Sequence, residues 1–188
     1  MNTTTLTVVL FVAGGLIACW LIATYNNVLH LQGQAQRAWA NVDVVLKERA
    51  DLIPGLVSVV KGYAAHERAT LERVSALRAC AAVDSGDRTT RLKVEGEIGR
   101  LLPRIFAVVE RYPELRSSSH FLHLQQQLVR LEEIIADRRE VYNEATTNHN
   151  VFRRTFPVSL VAGSVSAEDL PLFQALGADR AAPAVTFR

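Results

Sequence analysis

The sequence has few of the residues that build disulfide-rich, nucleic-acid-binding or loop-rich proteins. Its 188 residues include two cysteines, ten glycines and six prolines. Cys19 and Cys80 are isolated, so neither a disulfide framework nor a CxxC pair is predicted. The formal net charge is +2 and the Lys and Arg residues are spread along the chain, whereas phosphate binding needs a concentrated basic stripe. The composition therefore argues against a nucleic-acid partner and favours helix.

The sequence also lacks the residue groupings of familiar catalytic sites. It contains no nucleophile–base pair, no glycine-rich phosphate loop and no complete set of metal ligands. His120 and His123 are three residues apart and could share a helix face to bind a metal, but no third ligand is identified. His66 and Glu67 are adjacent, so on a helix they point about 100° apart. We therefore expect no enzymatic activity and no cofactor.

Charge is absent from the N-terminal part of the chain, where no Asp, Glu, Lys or Arg occurs before Arg37. After a short flank (residues 1–5), residues 6–25 form the apolar run LTVVLFVAGGLIACWLIATY. As a helix this run is about 30 Å long, which is the thickness of bilayer hydrocarbon. Trp20 and Tyr25 lie near one end, where aromatic residues favour the membrane interface. The pattern predicts a transmembrane helix over residues 6–25.

Two alternatives for this segment are a cleaved signal peptide and a lipidated N-terminus. A signal peptide would carry a basic stretch before the apolar run, and none is present. The sequence LIAC at 16–19 resembles the site of a lipidated Cys19, but further apolar residues follow it. Lys and Arg occur only after the span, so the positive-inside rule predicts an external N-terminus and a cytoplasmic body. The predicted location is a single pass through the inner membrane of a bacterial cell.

Small residues recur at intervals of four within the predicted span. Gly14 and Ala18 form one such pair, and Gly15 and Cys19 form another. This spacing lets transmembrane helices approach closely. We therefore predict a helix–helix contact through Gly14, Gly15 and Ala18, with a homo-oligomer as its product.

The remainder of the chain shows helical periodicity over four long segments. The first continues from the span to about Arg49 without a turn signal, and the fourth keeps an apolar heptad from Phe121 to Ala145. The third covers about residues 90–112. Short connections between long helices imply an antiparallel four-helix bundle over residues 26–156. The predicted fold class is all-α, with an N-terminal transmembrane helix continuous with this bundle.

The stretch ERADLIPGLVSVVKGYAAHE (48–67) interrupts that periodicity with a proline and two glycines. Asp51 can cap the start of a helix. Pro54 would then lie in the first turn, where its missing N–H costs nothing. We therefore predict a corner between the first helix and a second one that runs from Asp51 to about Val83.

Arg138 occupies a position in the apolar seam of the fourth helix. Arginine is rarely buried without a partner, so we predict a structural polar core in which Arg138 pairs with Glu67 or Asp51. Such a pair would fix the register of the helices, and charge reversal at Arg138 would then unfold the domain. A polar pocket that binds a ligand is the alternative.

The end of the chain is less regular than the bundle. Arg153, Arg154 and Phe156 form a small basic and aromatic cluster that could contact anionic lipid head groups. Residues 157–176 are mixed in character and are predicted to pack along the bundle or the membrane surface. The Ala- and Pro-rich residues 177–188 are predicted to be a disordered tail.

Several long blocks resemble the LemA family of bacterial membrane proteins. They are AWANVDVVLKERADLIPGLVSVVKGYAAHE, VVERYPELRSSSHFLHLQQQL, IADRREVYNEATTNHN and FPVSLVA, within residues 25–173. The resemblance implies an N-terminal membrane anchor and a helical bundle, with no catalytic residue to carry over.

The residues and the resemblance together favour a membrane-anchored scaffold or adaptor that assembles with itself. Its expected partners are the lipid bilayer, further copies of the chain and other membrane proteins. Two alternatives stay open: a metal-dependent or other hydrolase with a polar site between bundle helices, and a membrane sensor that passes a signal along the first helix.

Overall fold

The computed structural model describes residues 3–63, 67–82, 87–163 and 168–173, and within these ranges it contains no strand. The prediction of an all-helical fold is confirmed for this part of the chain. Its helices are α1 (Thr3–Lys61), α2 (Arg68–Ala82), α3 (Arg88–Val109), α4 (Pro113–Arg116), α5 (Ser119–Arg154) and α6 (Ser159–Ala162).

The described residues divide into two compact units. The terminal unit contains the residues up to Trp39 together with Val141–Leu172, and the four-helix unit contains Ala40–Glu140 together with Phe173. Both α1 and α5 contribute part of their length to each unit. The predicted tail at 177–188 lies outside the described residues.

The apolar run of residues 6–25 forms part of α1, and the predicted continuity of this run with the first bundle helix is confirmed. In the part of the chain that the structure describes, α1 is the one helix long and apolar enough to cross a bilayer. Its most apolar 18-residue window has a mean hydropathy of 2.5, and none of that window is buried. Large apolar side chains such as Phe11 therefore face outward.

The core of the four-helix unit joins α1, α2, α3 and α5, so the four-helix arrangement lies within residues 40–140, inside the predicted range of 26–156. Full burial of one large aliphatic or aromatic side chain stabilises a fold by about 1.5–3 kcal/mol. The core contains Ile53, Leu56 and Val60 of α1, Leu71, Val74, Leu77 and Ala81 of α2, Ile98, Leu102, Ile105 and Val109 of α3, Leu115 of α4, and Phe121 and Leu128 of α5.

Pairs of residues in the four-helix unit show how the helices run. Arg49 of α1 pairs with Glu132 of α5. Six residues later on α1, a Cβ placed on Gly55 would lie 3.6 Å from the side chain of Leu124, which precedes Glu132 on α5. As residue numbers rise along α1, the numbers of the residues it contacts on α5 fall, so these two helices are antiparallel. The prediction of an antiparallel bundle is confirmed.

The predicted corner at Asp51 and Pro54 is wrong, because α1 continues through both residues to Lys61. Proline has no N–H, so Pro54 cannot bond the carbonyl of Ala50, four residues earlier in the helix. Arg78 of α2 supplies a donor instead, with its Nε 3.4 Å from the Ala50 oxygen. A neighbouring helix therefore satisfies the acceptor that proline leaves free. Asp51 is not a helix cap.

The connection between the first two bundle helices lies later than predicted. The amide of Tyr63 donates to the carbonyl of Val60 (3.1 Å), which closes the last turn after Lys61. The next helix, α2, begins at Arg68. The predicted second helix is thus divided between the end of α1 and α2.

Asp87 caps the N-terminus of α3. Its carboxylate accepts from the amides of Thr89 (2.9 Å) and Thr90 (3.2 Å) and from the hydroxyl of Thr90 (2.5 Å). These bonds satisfy donors that the first helical turn leaves free. Because the Thr90 hydroxyl and then the Thr89 amide stabilise the charged form, the pKa of Asp87 is held below its usual value of 3.8.

In the terminal unit, α1 packs against the C-terminal part of α5. The rings of Trp39 and Tyr142 have centroids 5.4 Å apart, and Val28 packs with Phe152 and Val158. The peptide bond between Phe156 and Pro157 is cis.

We predict that Asp87→Ala lowers the melting temperature at pH 7 by a few degrees, because the first turn of α3 loses its cap. Since the folded pKa of Asp87 is depressed, the stabilisation is present above the unfolded value of 3.8 and is lost as the pH falls through the folded pKa. The difference from the wild type should therefore shrink below about pH 3.8. Thermal unfolding followed by circular dichroism in detergent measures it.

The control is Asp87→Asn, which keeps a capping side chain without the titratable group and should lose little stability at pH 7. A difference between the wild type and Asp87→Ala that stays constant from neutral to strongly acidic pH would contradict the assignment.

Candidate functional site

Arg49 is the buried cation of the four-helix unit, with 2% of its surface exposed. Its Nη2 lies 2.5 Å from Oε2 of Glu95 and also donates to the Glu95 carbonyl (3.2 Å). Its Nη1 donates to Oε1 of Glu132 at 2.7 Å. One guanidinium group therefore links α1, α3 and α5.

The same carboxylates extend the network to a second arginine. Arg91 Nε lies 3.0 Å from Oε1 of Glu95, and its Nη2 lies 3.0 Å from Oδ1 of Asp43. Charges of alternating sign thus run from Asp43 through Arg91, Glu95 and Arg49 to Glu132. Three carboxylates face two guanidinium groups, so the charges nearly balance. Near-balance matters because a buried charge without a partner is strongly destabilising.

A glycine on α3 makes room for this network. A Cβ on Gly99 would lie 3.7 Å from Nη1 of Arg49 and 3.9 Å from Oε2 of Glu132. Those are ordinary contact distances, so alanine fits there but a longer side chain would reach the ion pair. The small residue thus brings the backbone of α3 close to the buried guanidinium.

A cavity of about 50 Å³ adjoins the network. It has room for a few water molecules, whereas pockets for small molecules usually measure about 300–1,000 Å³. The Nε of Arg49 is buried and has no hydrogen-bond partner among the described residues. The cavity is lined by Leu46, Arg49, Glu95, Gly96, Gly99, Glu132, Ile135, Arg139 and Phe173.

Arg139 is one of the residues that line the cavity. Its guanidinium carbon lies 4.6 Å from the centroid of the Phe173 ring, a cation–π geometry. Phe173 itself is buried. Residues 157–176 were predicted to pack on the bundle or the membrane surface, and Phe173 packs within the four-helix unit.

The predicted polar core around Arg138 is wrong, because this side chain is exposed. Glu67 pairs instead with Arg111, with a closest approach of 2.5 Å. Asp51 is largely exposed, and its carboxylate lies 3.9 Å from Nη2 of Arg78. The structure therefore brings none of the three predicted residues into one cluster. A buried arginine that pairs across the bundle exists, but it is Arg49.

The error at Arg138 has a geometric cause. A helix turns once every 3.6 residues, so it drifts by about 20° per heptad from a strict 3.5-residue repeat. One buried row, which includes Ile135 and Tyr142, keeps the spacing of seven. The neighbouring row does not keep this spacing. After Leu131, its next inward residue is Arg139, eight positions later, which is half-buried, whereas Arg138, seven positions later, is exposed.

Sequence reasoning missed the members of the actual network although their spacing carries a signal. Arg49 and Glu95, the two central residues of the network, each interrupt a row of buried apolar residues. A charge at such an inward position needs a partner. Arg49 is not recognised in such a row from the sequence, because the first helix is predicted to end at this residue. The buried rows are Leu46, Arg49, Ile53 and Leu56 on α1, and Leu92, Glu95, Ile98 and Leu102 on α3.

A second polar cluster lies in the terminal unit, where residues 168–172 run along α5. The side-chain amide of Asn150 donates to the Leu170 carbonyl (2.9 Å) and accepts from the Leu170 amide (3.0 Å). The hydroxyl of Tyr142 donates to the carbonyl of Pro171 (2.7 Å). Because these bonds reach the backbone, they hold the segment independently of its side chains.

The predicted lipid-contact residues separate into two groups. Arg153 and Arg154 both pair with Asp169. The hydrogen bond from Arg154 lowers the pKa of Asp169, and the carboxylate in turn raises the pKa of Arg154. Phe156, by contrast, is 76% exposed. The arginines therefore fasten residue 169 to the end of α5.

The histidines considered as metal ligands do not form a site with other residues. His120 and His123 are exposed near the start of α5. Within the described ranges, no group of three or more His, Cys, Asp or Glu residues is arranged to hold a metal ion.

Comparison with known proteins gives matches over most of the chain. The sequence model of the LemA family matches residues 38–187. Magnetosome proteins MamQ 2 and MamQ 1 of Paramagnetospirillum magneticum are each 27% identical over 167 residues, covering 76% of this chain and 61% of theirs. Protein LemA of Metamycoplasma hominis is 23% identical over 155 residues, covering 82% of this chain and 71% of that protein. The chain thus spans about three-fifths of the length of the MamQ proteins.

We predict that Arg49→Met destabilises the protein by about 3–5 kcal/mol, because Glu95 and Glu132 lose their shared cation. Further replacement of both glutamates by methionine should recover much of that loss, since an apolar cluster needs no counter-charge and Arg91 keeps Asp43 as its partner. Chemical denaturation of the full chain in detergent measures both effects.

Arg138→Met and Arg138→Glu are the controls, and each should change stability by no more than about 0.5 kcal/mol because the side chain is exposed. Equal losses for the Arg49 and Arg138 variants would refute the assignment of Arg49 as the buried cation.

Proposed function

The chain belongs to the LemA family, whose sequence model covers residues 38–187, and on that premise we propose that it is a membrane-anchored scaffold that works by contact rather than by catalysis. Its partners in this proposal are copies of itself and other membrane proteins. The bilayer holds it through residues 6–25 of α1.

The observation that carries the proposal is the exposed apolar run of α1, whose most apolar 18-residue window has no buried residue and which continues without interruption into a four-helix unit. In water such a run would be strongly unfavourable, whereas a helix in lipid satisfies its own backbone groups. Lys and Arg occur only C-terminal to the run. This supports an external N-terminus and a cytoplasmic bundle, in the inner membrane of a bacterial cell.

A role by contact is supported by the character of the polar sites. The Arg49 network is directed at other bundle helices, and the cavity beside it is too small for an organic substrate. The Asn150 cluster holds the chain's own backbone. The names of the relatives, MamQ and LemA proteins, describe no reaction.

Self-assembly is supported by the open small-residue face of the span. A Cβ added to Gly14 or Gly15 would meet no atom within 4 Å. Ala18 is exposed on the same stretch. A second copy of α1 could therefore approach closely at these positions.

We predict that the full chain forms oligomers in mild detergent and that Gly14→Leu weakens their association by about tenfold or more, because the added side chain separates the helices. Mass photometry over a dilution series measures the association. The matched control is Val9→Leu, which lies at least about 120° around the helix from each of Gly14, Gly15 and Ala18 and should leave association unchanged.

A wild-type chain that is monomeric at every concentration would remove self-assembly from the proposal. Equal effects of the two substitutions would remove Gly14 from the interface.

A further inference from the structure

The turn that follows α5 packs against α1 just beyond the apolar run. Val158 is 7% exposed and packs with Val28 of α1 and with Phe152. Val28 lies three residues after Tyr25, which is about 4.5 Å along a helix. The contact therefore places residues 155–160 beside the end of the apolar run.

Burial along the run supports this placement. Thr24 is 5% exposed, whereas every other residue from Thr3 to Tyr25 is exposed. Thr24 is one helical turn before Val28, so the two share a face of α1. The covered face of the terminal unit thus extends into the last turn of the run.

Two large apolar side chains of the same turn remain uncovered. Phe156 is 76% exposed and Leu160 is 72% exposed, on either side of the buried Val158. Large apolar side chains that stay exposed beside another apolar surface indicate a site of contact with a membrane or a partner. Here the neighbouring surface is the apolar run itself, and a bilayer around that run would reach the turn.

We propose that Phe156 and Leu160 insert into the bilayer interface and give the protein a second point of membrane attachment, contributed by the C-terminal part of the chain. This inference rests on the proposed membrane anchor in α1. The turn is held at the bilayer surface by the Val28–Val158 contact, so insertion requires no new fold. Amphipathic segments that lie in the interface bind through apolar area of this kind.

The charges near the turn indicate whether the attachment depends on anionic lipid. Arg153 and Arg154 share Asp169, so the three residues together carry one formal positive charge. Attraction to anionic lipid grows with the number of free basic residues near the surface. Attachment through Phe156 and Leu160 is therefore apolar in origin, and it takes place in neutral phosphatidylcholine as well as in anionic bilayers.

The test places an environment-sensitive probe on the turn. In the full chain with Cys19→Ala and Cys80→Ala, the single cysteine of Leu160→Cys is labelled with NBD and the protein is reconstituted into phosphatidylcholine vesicles. The expected result is blue-shifted emission, with quenching by shallow doxyl-labelled lipid at least about twofold stronger than at a control site. The control is Val129→Cys on α5, an exposed apolar position in the four-helix unit.

Vesicle flotation and alkaline carbonate extraction of the same samples separate the two proposals. A chain that fails to float, or that carbonate extracts, would overturn the membrane anchor and this inference with it. A chain that floats while Leu160→Cys and Val129→Cys report the same aqueous environment would overturn this inference alone.

Two further outcomes concern the lipid and the side chains. Equal quenching at position 160 in neutral vesicles and in vesicles with about 30% phosphatidylglycerol supports the apolar origin, because attraction through free basic residues would strengthen the quenching in the anionic vesicles. Quenching that occurs only with phosphatidylglycerol would overturn it. Phe156→Ser, read through the same probe, should reduce the quenching, and an unchanged signal would exclude Phe156 from the attachment.

Discussion

The four-helix unit depends on one buried guanidinium group. Arg49 bonds to Glu95 and Glu132, so three helices meet at one cation. Since a buried charge without a partner is costly, any shift of α3 or α5 that separates the carboxylates from Arg49 is penalised. The apolar core therefore supplies much of the stability, and the ion pairs favour the observed arrangement of the three helices.

The same logic explains why α1 is longer than its sequence suggests. Pro54 removes a backbone donor, and the carbonyl of Ala50 receives one from Arg78 on the neighbouring helix. A side chain from α2 thus completes the hydrogen bonding of α1. In both cases a side chain from another helix supplies a hydrogen-bond partner that the helix itself lacks: a donor for the Ala50 carbonyl and acceptors for Arg49.

The sequence predicts the helices that follow from repeated apolar spacing. It does not predict features that depend on one contact with a residue far away in the chain. The apolar run, its continuation into the first bundle helix and the α5 heptad are local patterns, and these predictions are confirmed. The corner predicted at Asp51 and Pro54 follows from local rules for helix caps and proline. These rules fail here because Arg78 of α2 donates to the Ala50 carbonyl that Pro54 leaves free. The strict heptad predicts Arg138 at the inward face, whereas Arg139 is the half-buried residue, because a helix drifts against its heptad by about one position. Glu95 could have been found as a charge within an apolar row, but its pairing with Arg49 is a property of the assembled unit.

The separation of the network along the chain has a consequence for how the protein is made. Arg49 precedes Glu95 by 46 residues and Glu132 by 83, and a ribosome releases the chain from its N-terminus. The apolar run therefore leaves the ribosome long before the carboxylates that will neutralise Arg49. Until they emerge, this guanidinium must remain hydrated, and the inner face of α1 cannot close over it. Completion of the bundle during synthesis thus waits for α5, however early α1 forms.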